Sequence, residues 1–221
     1  MTSVTRKTHN SRAERRDELR RRLLTAVEQL LNEGDSYTEL SVERLVNEAG
    51  ISRSTFYVYF EDKGDLLRAL MEDVIGQIVA SAQQWWDLPP DATRADVHDA
   101  LRHLIDTYRP HRVLMSAVVD ASSYDAKVRE QFSGIMQIVT AEVTGHIESG
   151  RESGFVRSDI DPEPTAAWLT WMAERGLQQL CGPAHGDDLD EISDALTAVV
   201  WNTLYAGAGA GAGARDPRAV A

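Results

Sequence analysis

Residues 41–60 read SVERLVNEAGISRSTFYVYF, and the spacing within this stretch decides how the rest of the chain is read. Ser41 is an N-cap residue ahead of Val42, Leu45, Val46 and Ala49, which share one face of a short helix stopped by Gly50. Ser52 caps a second short helix over 52–59. Two short helices joined by a tight glycine-containing turn have the lengths and spacing of a helix-turn-helix. Glycine suits that turn because it adopts positive φ without a Cβ clash. Ile51, Phe56 and Phe60 are the expected inward residues, which leaves Arg53, Ser54, Thr55, Tyr57 and Tyr59 to project. The projecting set holds a cation, hydroxyls and phenols but no carboxylate, the chemistry required in a phosphate-lined groove. Simple packing is the competing account of such a helix. However, Phe56, Tyr57, Tyr59 and Phe60 spread round the helix and cannot all enter one core.

On the N-terminal side, Ser11 and Glu14 have capping-box spacing, and Leu19, Leu23, Val27, Leu30 and Leu31 form one apolar stripe on a helix ending near Gly34. On the C-terminal side, Asp62 opens a long helix carrying Leu66, Leu70, Val74, Ile78 and Trp85, which Pro89-Pro90 terminates. Further helices are marked by Val97, Leu101, Leu104 and Tyr108, by Pro110 as an opening residue, and by Val128, Phe132, Ile135, Val139, Val143 and Ile147. Residues 153–164 read as a loop, followed by helices near 163–181 and 188–206 separated by Gly182-Pro183. Strand-type alternation is missing, so the chain is expected to be all-α. The expected organisation is a basic arm and helix-turn-helix over 1–62, a helical body over 63–206, and a disordered Gly/Ala-rich tail over 207–221.

Charge is distributed in keeping with that division. The net charge is −12, yet residues 1–22 hold eight basic residues against three acidic ones, and residues 1–63 balance to zero. A basic tip on an acidic body lets a polyanion approach only one end. No apolar run approaches the roughly 20 residues of a membrane-spanning helix, and no apolar stretch follows the basic N-terminus as in a secretory signal. The single cysteine, Cys181, forms no internal disulfide and points to the cytosol.

The string GISRSTFYVYFEDKGDLL, residues 50–67, resembles the recognition helix and following helix start of the TetR family of bacterial transcriptional repressors. The resemblance is specific over residues 15–70 or so. The strings MAERGL at 172–177 and VVWNTLYAG at 199–207 are similar to the ethionamide-resistance-type branch. The resemblance implies a cytoplasmic homodimer on double-stranded DNA with an inverted-repeat operator, joined by a four-helix interface from the last two long helices. It also implies that Arg53, Ser54, Thr55, Tyr57 and Tyr59 lie on or beside the major groove, and that Ser41 (or the start of its helix) and Lys63 contact phosphates. The acidic pair Glu61-Asp62 departs from the pattern, and helix capping accounts for it.

For the body, the resemblance implies an apolar, aromatic-lined tunnel for a small hydrophobic ligand. The matching positions are Val97, Leu104, Tyr108, Phe132, Met136, Val139, Val143, Thr170, Trp171, Ala173 and Trp201, all of which also fit an ordinary core. Thr170 and Ala173 stand where that branch can place asparagines. Trp85 and Trp86 point about 100° apart on a helix, so one of them is expected to meet another element or solvent. Trp168, Trp171 and Trp201 are expected at a dimer interface.

Enzyme readings are thin. DDLDE at 187–191 ends in glutamate where a diphosphate-binding DDxxD motif needs aspartate, and no second acidic motif accompanies it. His98 and His103 are five residues apart, off a shared helical face, so no metal site is expected. No cofactor-binding motif is present. The alternative to a ligand-responsive DNA-binding regulator is an all-helical small-molecule-binding protein or enzyme without DNA binding.

Overall fold

The computed structural model describes residues 12–181 and 189–207. The helices, in chain order, are α1 (Arg12–Asn32), α2 (Val42–Glu48), α3 (Arg53–Tyr59), α4 (Lys63–Trp86), α5 (Arg94–Tyr108), α6 (Arg112–Tyr124), α7 (Ala126–Glu152), α8 (Pro162–Leu180) and α9 (Leu189–Leu204). No strand occurs among the described residues. Ser11, Gly182-Pro183, Asp187-Asp188 and residues 208–221, on which the first cap, one helix break, part of the acidic run and the tail were read, lie outside them.

Helix starts follow side-chain chemistry. Ser41 accepts from the Arg44 amide at 3.1 Å, Ser52 from Thr55 at 3.0 Å, and Asp62 from Asp65 at 2.8 Å. Thr93 and Asp96 complete a capping box on α5, and Asp125 caps α7 by accepting from the Lys127 and Val128 amides. Two boundaries differ from the sequence expectation. Pro110 stands in a 3-10 turn, Arg109–His111, and α6 opens only at Arg112. The expected loop ends sooner, because α8 starts at Pro162, where a missing N–H costs nothing.

α1, α2 and α3 pack around Leu23, Val27, Leu30, Leu45 and Phe56, all essentially fully buried. This core continues without a break through Leu66, Leu70 and Val74 of α4 to Leu114 and Val118 of α6 and Val128 of α7. The expected boundary at 62/63 is thus the N-cap of a helix that belongs to both regions. A second cluster, with Trp85, Val97, Leu101, Ile147, Ala166 and Leu204, closes the far end of the body. There α7 approaches the following turn closely: a Cβ on Gly150 would stand 2.3 Å from Val156 Cγ2.

A buried hydrogen-bond chain runs through that second cluster. His146 Nδ1 lies 3.0 Å from the Trp86 carbonyl, His146 Nε2 lies 2.7 Å from the Tyr205 hydroxyl, and Trp85 Nε1 donates to that hydroxyl at 2.8 Å. A carbonyl only accepts and an indole N–H only donates, so a fully satisfied chain has one solution. His146 is neutral with its proton on Nδ1, and Tyr205 donates to Nε2. Burial pushes the imidazole below the usual histidine range, which favours that neutral form.

Candidate DNA-binding head and ligand cavity

In the head, the α2–α3 turn is held from outside. Gly50 has φ +61°, and the Arg22 guanidinium of α1 donates to the Ala49 carbonyl at 2.6 Å and the Gly50 carbonyl at 2.7 Å. A Cβ on Gly50 would come to 3.0 Å from that guanidinium. Arg20 likewise donates to the Ala69 carbonyl at 2.6 Å and pairs with Asp73 at 2.6 Å, fixing α1 to α4. Part of the basic tip therefore does internal work.

α3 presents the projecting residues at the surface. Arg53 and Ser54 are exposed, Thr55 and Tyr59 half-buried, and Tyr57 is 48% exposed with the Arg53 guanidinium 5.6 Å from its ring centre. Ser52 Oγ gathers Ser54 Oγ at 2.8 Å and Thr55 Oγ1 at 2.7 Å, a ring of hydroxyls at the helix start. Phe56 and Phe60 are inward, as their spacing requires, and Ile51 is half-buried. Val58 was missed by the sequence reading, yet it is 71% exposed on the same helix. An apolar side chain there is suited to a thymine methyl group. The signal for it was available, since Val58 follows the outward-facing Tyr57.

Lys63 is placed differently from its expectation as a phosphate contact. Its ammonium donates to the Tyr37 and Leu40 carbonyls at 3.1 Å each and to the Thr38 carbonyl, while the Tyr37 hydroxyl donates to the Lys63 carbonyl at 2.5 Å. An ammonium has three donors, and all three are taken. Lys63 clamps the loop before α2 to the start of α4. Burial pulls its ammonium below the usual lysine range. Asp62 of the acidic pair is committed to capping α4.

The body contains a cavity of about 120 Å³, walled by six helices and partly open to solvent. An apolar cavity of about 150 Å³ is enough for a benzene-sized guest. Eight of the eleven expected positions line it: Leu104 and Tyr108 of α5, Phe132, Met136, Val139 and Val143 of α7, and Thr170 and Ala173 of α8. Val97, Trp171 and Trp201 do not. Val97 is fully buried in the second core cluster, Trp171 is 46% exposed with its ring edge-on to Phe132, and Trp201 leans on Tyr205. Trp171 and Trp201 each sit beside a lining residue, Thr170 and Val200, and one helical step turns a side chain away.

The wall contributed by α4 was not assigned to the cavity from sequence. Ile75, Ile78, Val79 and Ala82 line it, and so do both Trp85 and Trp86, of which Trp85 also meets Tyr205 beyond α9 and Trp86 is half-buried. The cavity wraps round the end of α4, so two diverging rings reach it. Trp86 Nε1 and Thr170 Oγ1 are buried without a hydrogen-bond partner. Burial pushes the Tyr108 hydroxyl and the lining carboxyl of Glu174 above their usual ranges. Among the described residues no group of three or more His, Cys, Asp or Glu is placed to hold a metal ion.

A DNA-reading helix-turn-helix joined by one continuous helix to a cavity-bearing helical body defines a transcriptional regulator. Two family profiles agree: "Bacterial regulatory proteins, tetR family" over residues 23–70, and "Transcriptional regulator EthR, C-terminal domain" over 97–206. The HTH-type transcriptional regulator EthR of Mycobacterium tuberculosis is 30% identical over 156 residues, covering 70% of this chain and 72% of that protein. Its counterpart in Mycolicibacterium smegmatis is 29% identical over 187 residues, covering 82% and 84%. A TetR transcription regulator from Haloarcula marismortui superposes with a TM-score of 0.66 at 16% identity, over 85% of this chain and 99% of that one. This chain belongs to the TetR family, in its EthR-type branch. It is a DNA-binding regulator with a ligand-binding C-terminal region, and its relatives are regulators and not enzymes. No helix among the described residues is long and apolar enough to cross a membrane.

Proposed function

We propose that the protein is a repressor that binds an inverted-repeat operator as a homodimer and is released by a small hydrophobic ligand in the body. The observation that carries this reading is α4. Its first turn is clamped to the head through Lys63, and its last turns wall the cavity with Trp85 and Trp86. Its 24 residues span about 36 Å. A guest that wedges the cavity displaces the far end of this rod and thereby changes the spacing of two heads on successive major grooves. A ligand releases DNA only by binding the incompetent arrangement more tightly.

On this reading Arg53, Ser54, Thr55, Tyr57 and Tyr59, with the start of α2 at Ser41, face the operator, and Lys63 keeps its structural task. The functional division is 1–62 for reading DNA and 63–206 for ligand and partner. α8 and α9 expose Trp168, Trp171, Met172 and Val199, an apolar strip suited to a second copy. Trp168, at 79% exposure, is its most prominent member.

Footprinting on DNA flanking the protein's own gene tests the reading. A protected inverted repeat, lost on Ala173→Trp, is expected, because the added ring fills the cavity from within. In solution the mass should be about twice 24.5 kDa. A strict monomer on and off DNA, or a folded Ala173→Trp variant with unchanged affinity, overturns it.

A further inference from the structure

The cavity lining is apolar and aromatic except for a few positions, and its negative charge is concentrated at one of them. Thr170 and Glu174 of α8 are one helical turn apart, hence neighbours on the same face, and both line the cavity. Glu174 is the single formally charged side chain in that lining. It is half-buried, and among the described residues its carboxylate meets a charge, that of Arg175, but no hydrogen bond or ion pair. Arg175, the adjacent cation, donates to Gln178 at 2.5 Å and acts on Glu174 as a nearby charge without forming an ion pair with it. The Glu174 charge is felt at the Tyr108 hydroxyl, which it helps to push up, so the carboxylate sits beside an aromatic wall.

A carboxylate drawn partly out of water without an ion pair is costly, and the apolar lining offers it none. Burial pushes the Glu174 carboxyl up and outweighs the opposing pull of the Arg175 charge. The rings of Trp85, Trp86, Tyr108 and Phe132 line the same space. Their faces attract cations and repel anions. The buried Thr170 hydroxyl lacks a partner as well, and its oxygen can accept. A neutral alkyl guest would deepen the isolation of the carboxylate, whereas an anionic guest would be repelled by it.

Resting on the reading that this cavity takes a ligand, we propose that the ligand carries a protonated amine on an otherwise apolar body, with Glu174 as its counter-ion and as the residue that sets specificity. The ammonium donates to the Glu174 carboxylate and the Thr170 hydroxyl oxygen, while the apolar chain lies against α4 and α7.

Calorimetric titration of the full chain near neutral pH tests this, with benzylamine, benzyl alcohol and benzoate, probes of the size that the cavity suits. Wild type should bind the ammonium at least about tenfold tighter than the alcohol, the size of effect expected of a desolvated cation against a carboxylate and ring faces. Glu174→Gln should abolish that advantage while leaving the alcohol's affinity within about twofold, which also shows that the variant's cavity is intact. Non-specific attraction of a cation to an acidic protein would survive the loss of one carboxylate out of 35 acidic residues. An alcohol that binds wild type as well as the amine does, or an amine advantage that persists in Glu174→Gln, overturns the proposal and leaves the ligand cavity standing. Failure of all three probes to bind overturns the proposal together with the cavity reading on which it rests.

Discussion

In the head, Ser52 Oγ has three polar partners within 3.0 Å, whereas in the body Thr170 Oγ1 and Trp86 Nε1 are buried with none. The same contrast holds among the cations and acids. Arg22 and Lys63 direct their donors onto backbone carbonyls that fix the turn and the loop around α2, while Glu174 lines the cavity without an ion pair. A reader of DNA must keep a small set of projecting side chains in register, so its polar groups are mostly paired internally, Arg20 Nε and Asp35 Oδ2 through ion pairs with Asp73 and Arg44 in place of well-aligned hydrogen bonds. A region that receives a guest gains from unmet hydrogen-bonding capacity, since a ligand that satisfies it recovers the cost of leaving it buried. Rigidity and receptivity are thus divided between the two ends of α4.

The largest test of this contrast lies in the head core. Phe56 is fully buried between α2 and α3, and Phe56→Ala should cost about 3–5 kcal/mol in urea unfolding and abolish operator binding. If stability fell by that much while DNA affinity held, α3 would not be the element that must be kept in place. Next in size, Arg53→Ala and Tyr57→Ala should each weaken operator binding by about 1–3 kcal/mol, with stability unchanged within about 0.5 kcal/mol. Arg53→Ala should also flatten the salt dependence of binding, read by repeating the titration at two ionic strengths.

The body has its own satisfied exception in the His146 chain, and pH exposes it. The native imidazole is held neutral below the usual histidine range, while the unfolded one takes up a proton near pH 6.5. Stability should therefore be flat above that point and fall as pH drops from there toward the native pKa, by at most about 1.4 kcal/mol per pH unit. Chemical unfolding at stepped pH measures the slope, and His146→Phe should remove this part of it. The smallest effects form a matched pair. Ser52→Ala deletes a working cap and should cost about 1 kcal/mol. Thr170→Val deletes a hydroxyl without a partner at nearly constant volume and should leave the ligand-free protein as stable or up to about 1 kcal/mol more so. Equal losses in the two variants would erase the distinction drawn between head and body.

Much of this was legible in the chain alone, for local reasons. Caps at Ser41, Ser52 and Asp62, apolar spacing of 3.6, the Gly50 turn and the prolines at 89 and 90 are short-range features, and they determine nine helices and a helix-turn-helix among the described residues. The outward residues of α3 were equally readable, because a seven-residue helix with two inward phenylalanines leaves few choices. The tertiary structure alone decided which apolar stripes meet as solid core and which stand apart around a void. Periodicity says that Val97, Val139 and Val143 each lie on an apolar face, but both kinds of face have the same composition. Val97 closes against the second cluster, Val143 belongs to that cluster and also borders the cavity, and Val139 lines the cavity alone. The commitment of Lys63 to three carbonyls and the isolation of Glu174 were hidden for the same reason. A charge in sequence shows only its sign, and its partners, or their lack, arise when distant segments are brought within a hydrogen bond of each other.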